Sequence, residues 1–62
     1  MGKRVRKLRR MLDLTQGQLA EICGCSKTTI ANIEQGKRKP SIELAEVLAN
    51  ALGATIDFLV KG

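Results

Sequence analysis

Apolar residues recur at helical spacing in five short segments of this chain, and each segment is bounded by residues that cap or stop helices. The first helix is predicted from about Lys3 to Leu12, where Val5, Leu8 and Leu12 form one apolar stripe and Asp13 ends the helix. No alternating apolar run flanked by hairpin turn residues is present. The pattern therefore predicts an all-α fold.

The second and third helices are predicted to pack against each other through a tight turn. Thr15 is a suitable N-cap for the second helix, and Gly24 ends it. Ser26 caps the third helix, in which Ile30 and Ile33 point to the same side. The other faces of the third helix carry small polar side chains, which suit hydrogen bonding to base edges in a DNA major groove. This arrangement is typical of a helix-turn-helix.

Two further helices are predicted to complete the core. Gly36 is expected to end the third helix, and a basic loop up to Pro40 follows it. Ser41 begins the fourth helix, Gly53 ends it, and Thr55 caps a last short helix. The apolar residues expected on these two helices are Ile42, Leu44, Ala45, Leu48, Ala51, Leu52, Ile56, Phe58 and Leu59. For Phe58 the alternative to a core position is a dimer contact.

Sixty-two residues are enough for one domain, 1–62, with a modest core, so extra stability is expected from helix packing or dimerisation. The chain has two cysteines and no histidine. Cys23 and Cys25 cannot complete a zinc site within one chain, and we interpret them as core residues. No metal and no other cofactor is expected.

The net charge of +5 is unevenly distributed. Residues 1–39 hold ten Lys or Arg against three acidic residues, a balance of +7, whereas residues 40–62 hold one Lys against three, a balance of −2. The basic half contains the third helix, which favours a nucleic-acid partner over a merely solvated basic face. No signal peptide and no apolar run of bilayer length is visible, so we expect a cytoplasmic protein that does not enter membranes.

The stretch LTQGQLAEICGCSKTTIANIEQGKRKPS, followed by ALGATIDFLVKG, closely resembles the lambda repressor and Cro type of helix-turn-helix domain, the XRE-like transcriptional regulators. The resemblance implies a compact five-helix domain that binds operator DNA, commonly as a homodimer on a palindromic or nearly palindromic site. Two positions depart from the family pattern, Gly17 and Asp13. Many relatives also carry a ligand-sensing or self-cleaving domain, which we do not expect here, and no small-molecule ligand is evident.

The resemblance assigns base contacts to three residues near the start of the third helix. Lys27 suits guanine, Thr28 suits a hydrogen bond or a thymine methyl, and Asn32 suits adenine. Ala31 is interpreted as an exposed helix residue, with a thymine-methyl contact as the alternative.

The resemblance also assigns contacts to DNA phosphates. Gln16 matches a glutamine whose amide contacts a phosphate, the alternative being a simple exposed side chain. Thr29 is expected either to contact phosphate or to cap the helix locally. The basic loop residues expected near phosphates are Lys37, Arg38 and Lys39. Only a subset of four first-helix cations, Arg4, Arg6, Lys7 and Arg10, is expected to reach DNA.

Arg9 and Glu34 match a pair that forms a partly buried salt bridge in several members of the family. The loss of one partner from such a bridge costs about 3 kcal/mol or more.

The predicted function is a sequence-specific, double-stranded DNA-binding regulator, more specifically a repressor that binds its operator as a homodimer. The alternatives are an antitoxin or restriction-modification controller with the same domain, or a protein-interaction adaptor. An enzyme is disfavoured, since neither histidine nor paired carboxylates at a shared site are present and no catalytic residue can be assigned. Activation instead of repression remains open.

Overall fold

Five helices in chain order form the part of the chain that the structure describes, residues 1–61. In this computed structural model they are α1 (Gly2–Met11), α2 (Gln16–Cys23), α3 (Lys27–Glu34), α4 (Ile42–Leu52) and α5 (Ile56–Val60). The predicted all-α fold and the order of its helices are confirmed. Gly62, which belongs to the predicted domain 1–62, lies outside the described residues.

A hydroxyl side chain begins each of the last four helices. In every case its oxygen accepts a hydrogen bond from the third backbone N–H of the helix, which would otherwise lack a partner. These N-caps are Thr15, Ser26, Ser41 and Thr55. Thr15 also forms a reciprocal capping box, because its backbone N–H donates to the Gln18 side chain at 2.9 Å. The starts predicted for these four helices are therefore correct.

The first helix differs slightly from its prediction. It begins at Gly2 instead of Lys3, because the Met1 carbonyl accepts hydrogen bonds from the N–H groups of Arg4 and Val5. It ends at Met11, and Asp13 then adopts a left-handed conformation with φ of 57°. Aspartate tolerates that conformation better than most residues, which explains why the chain turns here.

The core lies where the five helices meet, and each helix contributes at least one fully buried side chain to it. The largest fully buried side chains are Val5, Leu19, Ile30, Ile33, Leu48 and Leu59. Cys23 and Cys25 pack against this core as partly buried side chains, as predicted.

Three apolar residues that were predicted to face the core are exposed: Leu12, Ile42 and Phe58. Phe58 is 44% exposed because its neighbour Leu59 occupies the core-facing position of the five-residue helix α5. Ile42 is 76% exposed at the first turn of α4. Helical spacing alone therefore overestimated how many apolar residues this small fold can bury.

No helix among residues 1–61 has the length and apolar character needed to cross a bilayer.

Candidate nucleic-acid interface

The turn between α2 and α3 determines how these two helices meet. Gly24 ends α2 in the left-handed conformation, with φ of 70°, which glycine adopts without steric cost. Cys25 follows, and its backbone N–H donates to the Ala20 carbonyl at 3.0 Å. Ser26 then begins α3 by accepting from the Thr29 N–H at 3.1 Å. Only two residues thus separate the α2 cap from the first residue of α3.

The outward face of α3 carries the three residues that were predicted to contact bases. Lys27 and Thr28 are exposed in its first turn, and Asn32 is half-buried one turn later. Within residues 1–61 none of these three side chains makes a hydrogen bond or ion pair with another part of the chain. Their amine, hydroxyl and amide groups are therefore available to an external partner.

The C-terminal end of α3 is anchored by a carboxylate at its last residue. Glu34 is 4% exposed and forms an ion pair with Arg9 of α1, which is 8% exposed. Arg9 Nε donates to Glu34 Oε2 at 2.6 Å and Nη2 donates to Oε1 at 3.1 Å, a two-point contact between planar groups. Arg9 Nη1 also donates to the Leu14 carbonyl at 2.7 Å. The predicted Arg9–Glu34 pair is thus present, and Arg9 also ties α1 to the segment just before α2.

Two more side chains donate to the same carboxylate. Arg6 Nε lies 3.3 Å from Glu34 Oε1, and Gln16 Nε2 lies 3.1 Å from that oxygen. We call Glu34 with Arg6, Arg9 and Gln16 the Glu34 cluster. No buried side-chain nitrogen or oxygen within residues 1–61 lacks a hydrogen-bond partner. The carboxylate is therefore fully satisfied despite its burial.

The Glu34 cluster keeps its carboxylate ionised. Burial raises the pKa of Glu34, but the hydrogen bonds from Arg9, Gln16 and Arg6 and the Arg9 charge outweigh burial and hold the pKa below its ordinary value. The hydrogen bond to Glu34 correspondingly raises the pKa of Arg9. The pair therefore stays charged throughout the neutral range.

The residues predicted to contact phosphates lie on both sides of α3. Gln16 is the first residue of α2, and its amide nitrogen retains a second N–H beyond the one given to Glu34. The Thr29 hydroxyl lies 2.9 Å from the Ser26 hydroxyl, which matches the local-capping alternative. The loop after α3 exposes all three of its cations, Lys37, Arg38 and Lys39.

The pattern that defines the helix-turn-helix family matches residues 5–59. The chain belongs to that family. The immunity repressor protein of Bacillus phage phi105 is 37% identical to it over 60 residues, which cover 97% of this chain and 42% of that repressor. The helix-turn-helix domain described here spans about half of the length of the curated relatives that it matches.

Solved structures show the same fold. The crystal structure of the P22 c2 repressor protein in complex with a synthetic operator superimposes with a TM-score of 0.96 at 33% identity, covering 98% of this chain and 92% of that one. The restriction-modification controller protein C.AhdI from Aeromonas hydrophila gives a TM-score of 0.87 at 33% identity, covering 94% and 88% of the two chains. The arrangement of α2 and α3 in this helix-turn-helix domain is thus shared with a protein whose structure contains operator DNA.

Three contacts of the helix-turn-helix domain were missed from the sequence. Arg6 joins the Glu34 cluster, a position that its spacing of three residues from Arg9 could have suggested. Arg4 lies over the Phe58 ring at 4.5 Å and donates to the Phe58 carbonyl at 2.6 Å, which fastens α1 to α5. Gly2 approaches the end of α3 so closely that an added methyl group would overlap backbone carbonyl oxygens there.

The two thiols of the helix-turn-helix domain are free. Burial, and to a smaller degree the neighbouring Cys25, raises the pKa of the Cys23 thiol. Cys23 is therefore a protonated, weakly reactive thiol at neutral pH, consistent with its packing role.

Proposed function

We propose that this helix-turn-helix domain binds double-stranded DNA at a specific sequence and regulates transcription as a repressor. One observation carries the proposal: α3 presents unpaired polar side chains outward while the Glu34 cluster fixes its other end. The likeness to a repressor structure that contains operator DNA supports the same function.

Base recognition is assigned to Lys27, Thr28 and Asn32. In this proposal Lys27 donates to guanine O6 or N7, Thr28 contacts a thymine methyl or hydrogen-bonds a base, and Asn32 pairs with the N6 and N7 edge of adenine. Each good pairing of this kind discriminates against a wrong base by about 1–3 kcal/mol. The sequence preference thus depends on three side chains of one helix.

Phosphate binding is assigned to the residues that flank α3. The start of α2 presents backbone N–H groups and the remaining Gln16 N–H to one phosphate, since helix N-termini attract anions. The loop cations at 37–39 approach the backbone from the other side, and Thr29 adds a weaker contact through its hydroxyl. Such contacts position the protein and supply most of the affinity, without specifying sequence.

Two copies of the chain are proposed to bind one operator. In a two-fold symmetric dimer the two α3 helices enter successive major grooves about 34 Å apart. The operator is then a palindrome or nearly so. Repression follows when the bound dimer occludes RNA polymerase.

The domain is proposed to act by binding alone, in the cytoplasm, without catalytic activity. The absence of histidine from the sequence supports this assignment. The alternative of a restriction-modification controller is supported by the likeness to C.AhdI and predicts the same DNA contacts with different regulated genes.

Selection of duplexes from a random DNA library tests the proposal directly. We expect purified protein, at near-physiological salt and with excess competitor, to enrich a two-fold symmetric motif. An asymmetric motif would contradict the dimer. A folded protein that enriches no motif at all would contradict sequence-specific binding and favour a protein-interaction adaptor.

A further inference from the structure

One face of α1 carries a row of cations that the proposed operator contacts do not use. Counting from Lys3, the row occupies helix positions 0, 3, 4 and 7, which lie on one side of an α-helix. Its members, which we call the α1 stripe, are Lys3, Arg6, Lys7 and Arg10, and they line one shallow depression together with Met11. No acidic residue occurs anywhere in α1. The stripe is therefore a concentrated positive surface outside α2 and α3.

The α1 stripe adjoins the proposed phosphate contacts on both sides of α3. Arg6 and Gln16 donate to the same oxygen, Glu34 Oε1, at 3.3 and 3.1 Å, so the stripe continues directly into the start of α2. At its other end, Lys3 shares a shallow groove with Gln35 and Gly36, the residues just before the basic loop. The stripe thus lies beside both segments to which phosphate contacts are assigned.

The dimensions of the α1 stripe fit a nucleic-acid backbone. Seven residues of helix rise from Lys3 to Arg10 amount to about 10 Å. Each DNA strand carries one phosphate per roughly 3.4 Å of duplex axis, so this length matches two to three phosphates.

A lipid surface fits α1 less well. Membrane-binding helices insert an apolar face, whereas the apolar face of α1 is packed into the core, with Val5 fully buried and Leu8 partly buried. A polyanion that needs only the polar face is therefore the better partner.

We propose that the α1 stripe binds DNA phosphates flanking the operator half-site, beyond the base pairs that α3 contacts. This inference rests on the proposed function, since it extends the same complex. It predicts that the affinity depends on DNA outside the recognised sequence. It also predicts that α1 alone contributes about two units to the slope of log affinity against log salt concentration, at about 0.9 unit per phosphate contact.

The test compares a stripe variant with a variant of equal charge. Lys3→Gln combined with Lys7→Gln removes two charges and leaves the Glu34 cluster intact. Lys61→Glu changes the net charge by the same amount on an exposed residue that does not line the stripe. Binding is measured from 50 to 200 mM salt on two duplexes, one ending at the selected motif and one extended by about one helical turn on each side.

We expect wild-type protein and Lys61→Glu to bind the extended duplex more tightly than the short one, and the stripe variant to lose this preference. From 50 to 200 mM salt, the wild-type affinity for the extended duplex should fall about tenfold further than that of the stripe variant. A stripe variant that behaves like Lys61→Glu would overturn the inference and leave the operator contacts intact. An equal loss on both duplexes would also overturn it, because the stripe would not then contact flanking DNA. If wild-type protein binds no duplex, the proposed function itself fails.

Discussion

The buried carboxylate of Glu34 links the three helices of the candidate interface, α1, α2 and α3. Glu34 accepts hydrogen bonds from side chains of α1 and of α2, and it is itself the last residue of α3. Removing one partner of a buried ion pair lowers the free energy of unfolding by more than the intact pair contributes to it, because the other charge is left buried without compensation. Glu34 thus connects the stability of the fold to the placement of α3.

Stability at acid pH should depend on Glu34 in a defined direction. Because its folded pKa lies below the unfolded value of about 4.3, the carboxylate stabilises the fold above that value. The contribution is lost as pH falls through the folded pKa. We therefore expect wild-type protein to lose more free energy of unfolding between about pH 5 and pH 3 than Glu34→Gln does, as measured by urea unfolding.

At pH 7 the Glu34→Gln variant should be destabilised by about 3 kcal/mol, since Arg9 is left as an uncompensated, largely buried charge. The exposed Glu21→Gln variant is the matched control and should change stability by less than about 0.5 kcal/mol. Parallel pH profiles for wild type and Glu34→Gln would contradict the assigned role of this carboxylate.

At the scale of the helices, α1 begins with a glycine that lies directly against the last turn of α3. Gly2 has no side chain, and this allows the start of α1 to rest against the last carbonyl groups of α3. The same end of α3 also forms the Arg9–Glu34 ion pair. The docking of α1 on α3 therefore combines close backbone packing with a charged hydrogen-bonded contact.

Two glycine substitutions should have opposite effects on stability. Gly2→Ala forces a methyl group against the carbonyl oxygens of Ile33 and Glu34, so we expect a loss of about 1–3 kcal/mol. Gly17→Ala lies within α2, where the nearest atom to the added methyl is Thr15 Oγ1 at 3.9 Å. It should stabilise the fold by about 0.5–1 kcal/mol, because alanine loses less backbone entropy in a helix. Thermal unfolding of both variants measures the two effects. A Gly2→Ala variant that is not destabilised would contradict this account of the α1–α3 contact, and a destabilised Gly17→Ala variant would contradict the account of α2.

The sequence was most informative where structure is local. Thr15, Ser26, Ser41 and Thr55 cap helices through atoms three residues away, so their roles were predictable. The Gly2 and Arg4–Phe58 contacts depend on how distant helices dock, which spacing along one helix does not specify. The Arg9–Glu34 pair was predicted only through the resemblance to known repressors, because the two residues are 25 positions apart in the chain.

Across the whole molecule, charge and sequence recognition are separated. The loop at 37–39 and the α1 stripe together hold seven cations, whereas α3, which carries the three proposed base contacts, holds one, Lys27. Affinity and specificity should therefore respond to different substitutions.

A pair of variants tests this separation on the selected operator. Replacing Lys37, Arg38 and Lys39 with alanine should weaken binding to all sequences alike. It should also lower the slope of log affinity against log salt concentration by up to about 3 units. Asn32→Ala should instead reduce discrimination at one base pair by about 1–3 kcal/mol and leave the slope nearly unchanged. Titrations of the operator and of its single-base variants at several salt concentrations measure both effects. An unaltered slope in the loop variant, or an unaltered base preference in Asn32→Ala, would refute the corresponding contact.

The Glu34 cluster lies at the end of α3, whereas the side chains of Lys27, Thr28 and Asn32 make no hydrogen bond or ion pair within residues 1–61. Substitutions at these three positions should thus leave the fold almost unaffected, as is usual for surface sites without special contacts. On the proposed function, a lineage that carries this domain can therefore change its operator through a few substitutions that cost little stability. Two duplicated copies could diverge into regulators of different genes without first acquiring a compensating stabilising mutation.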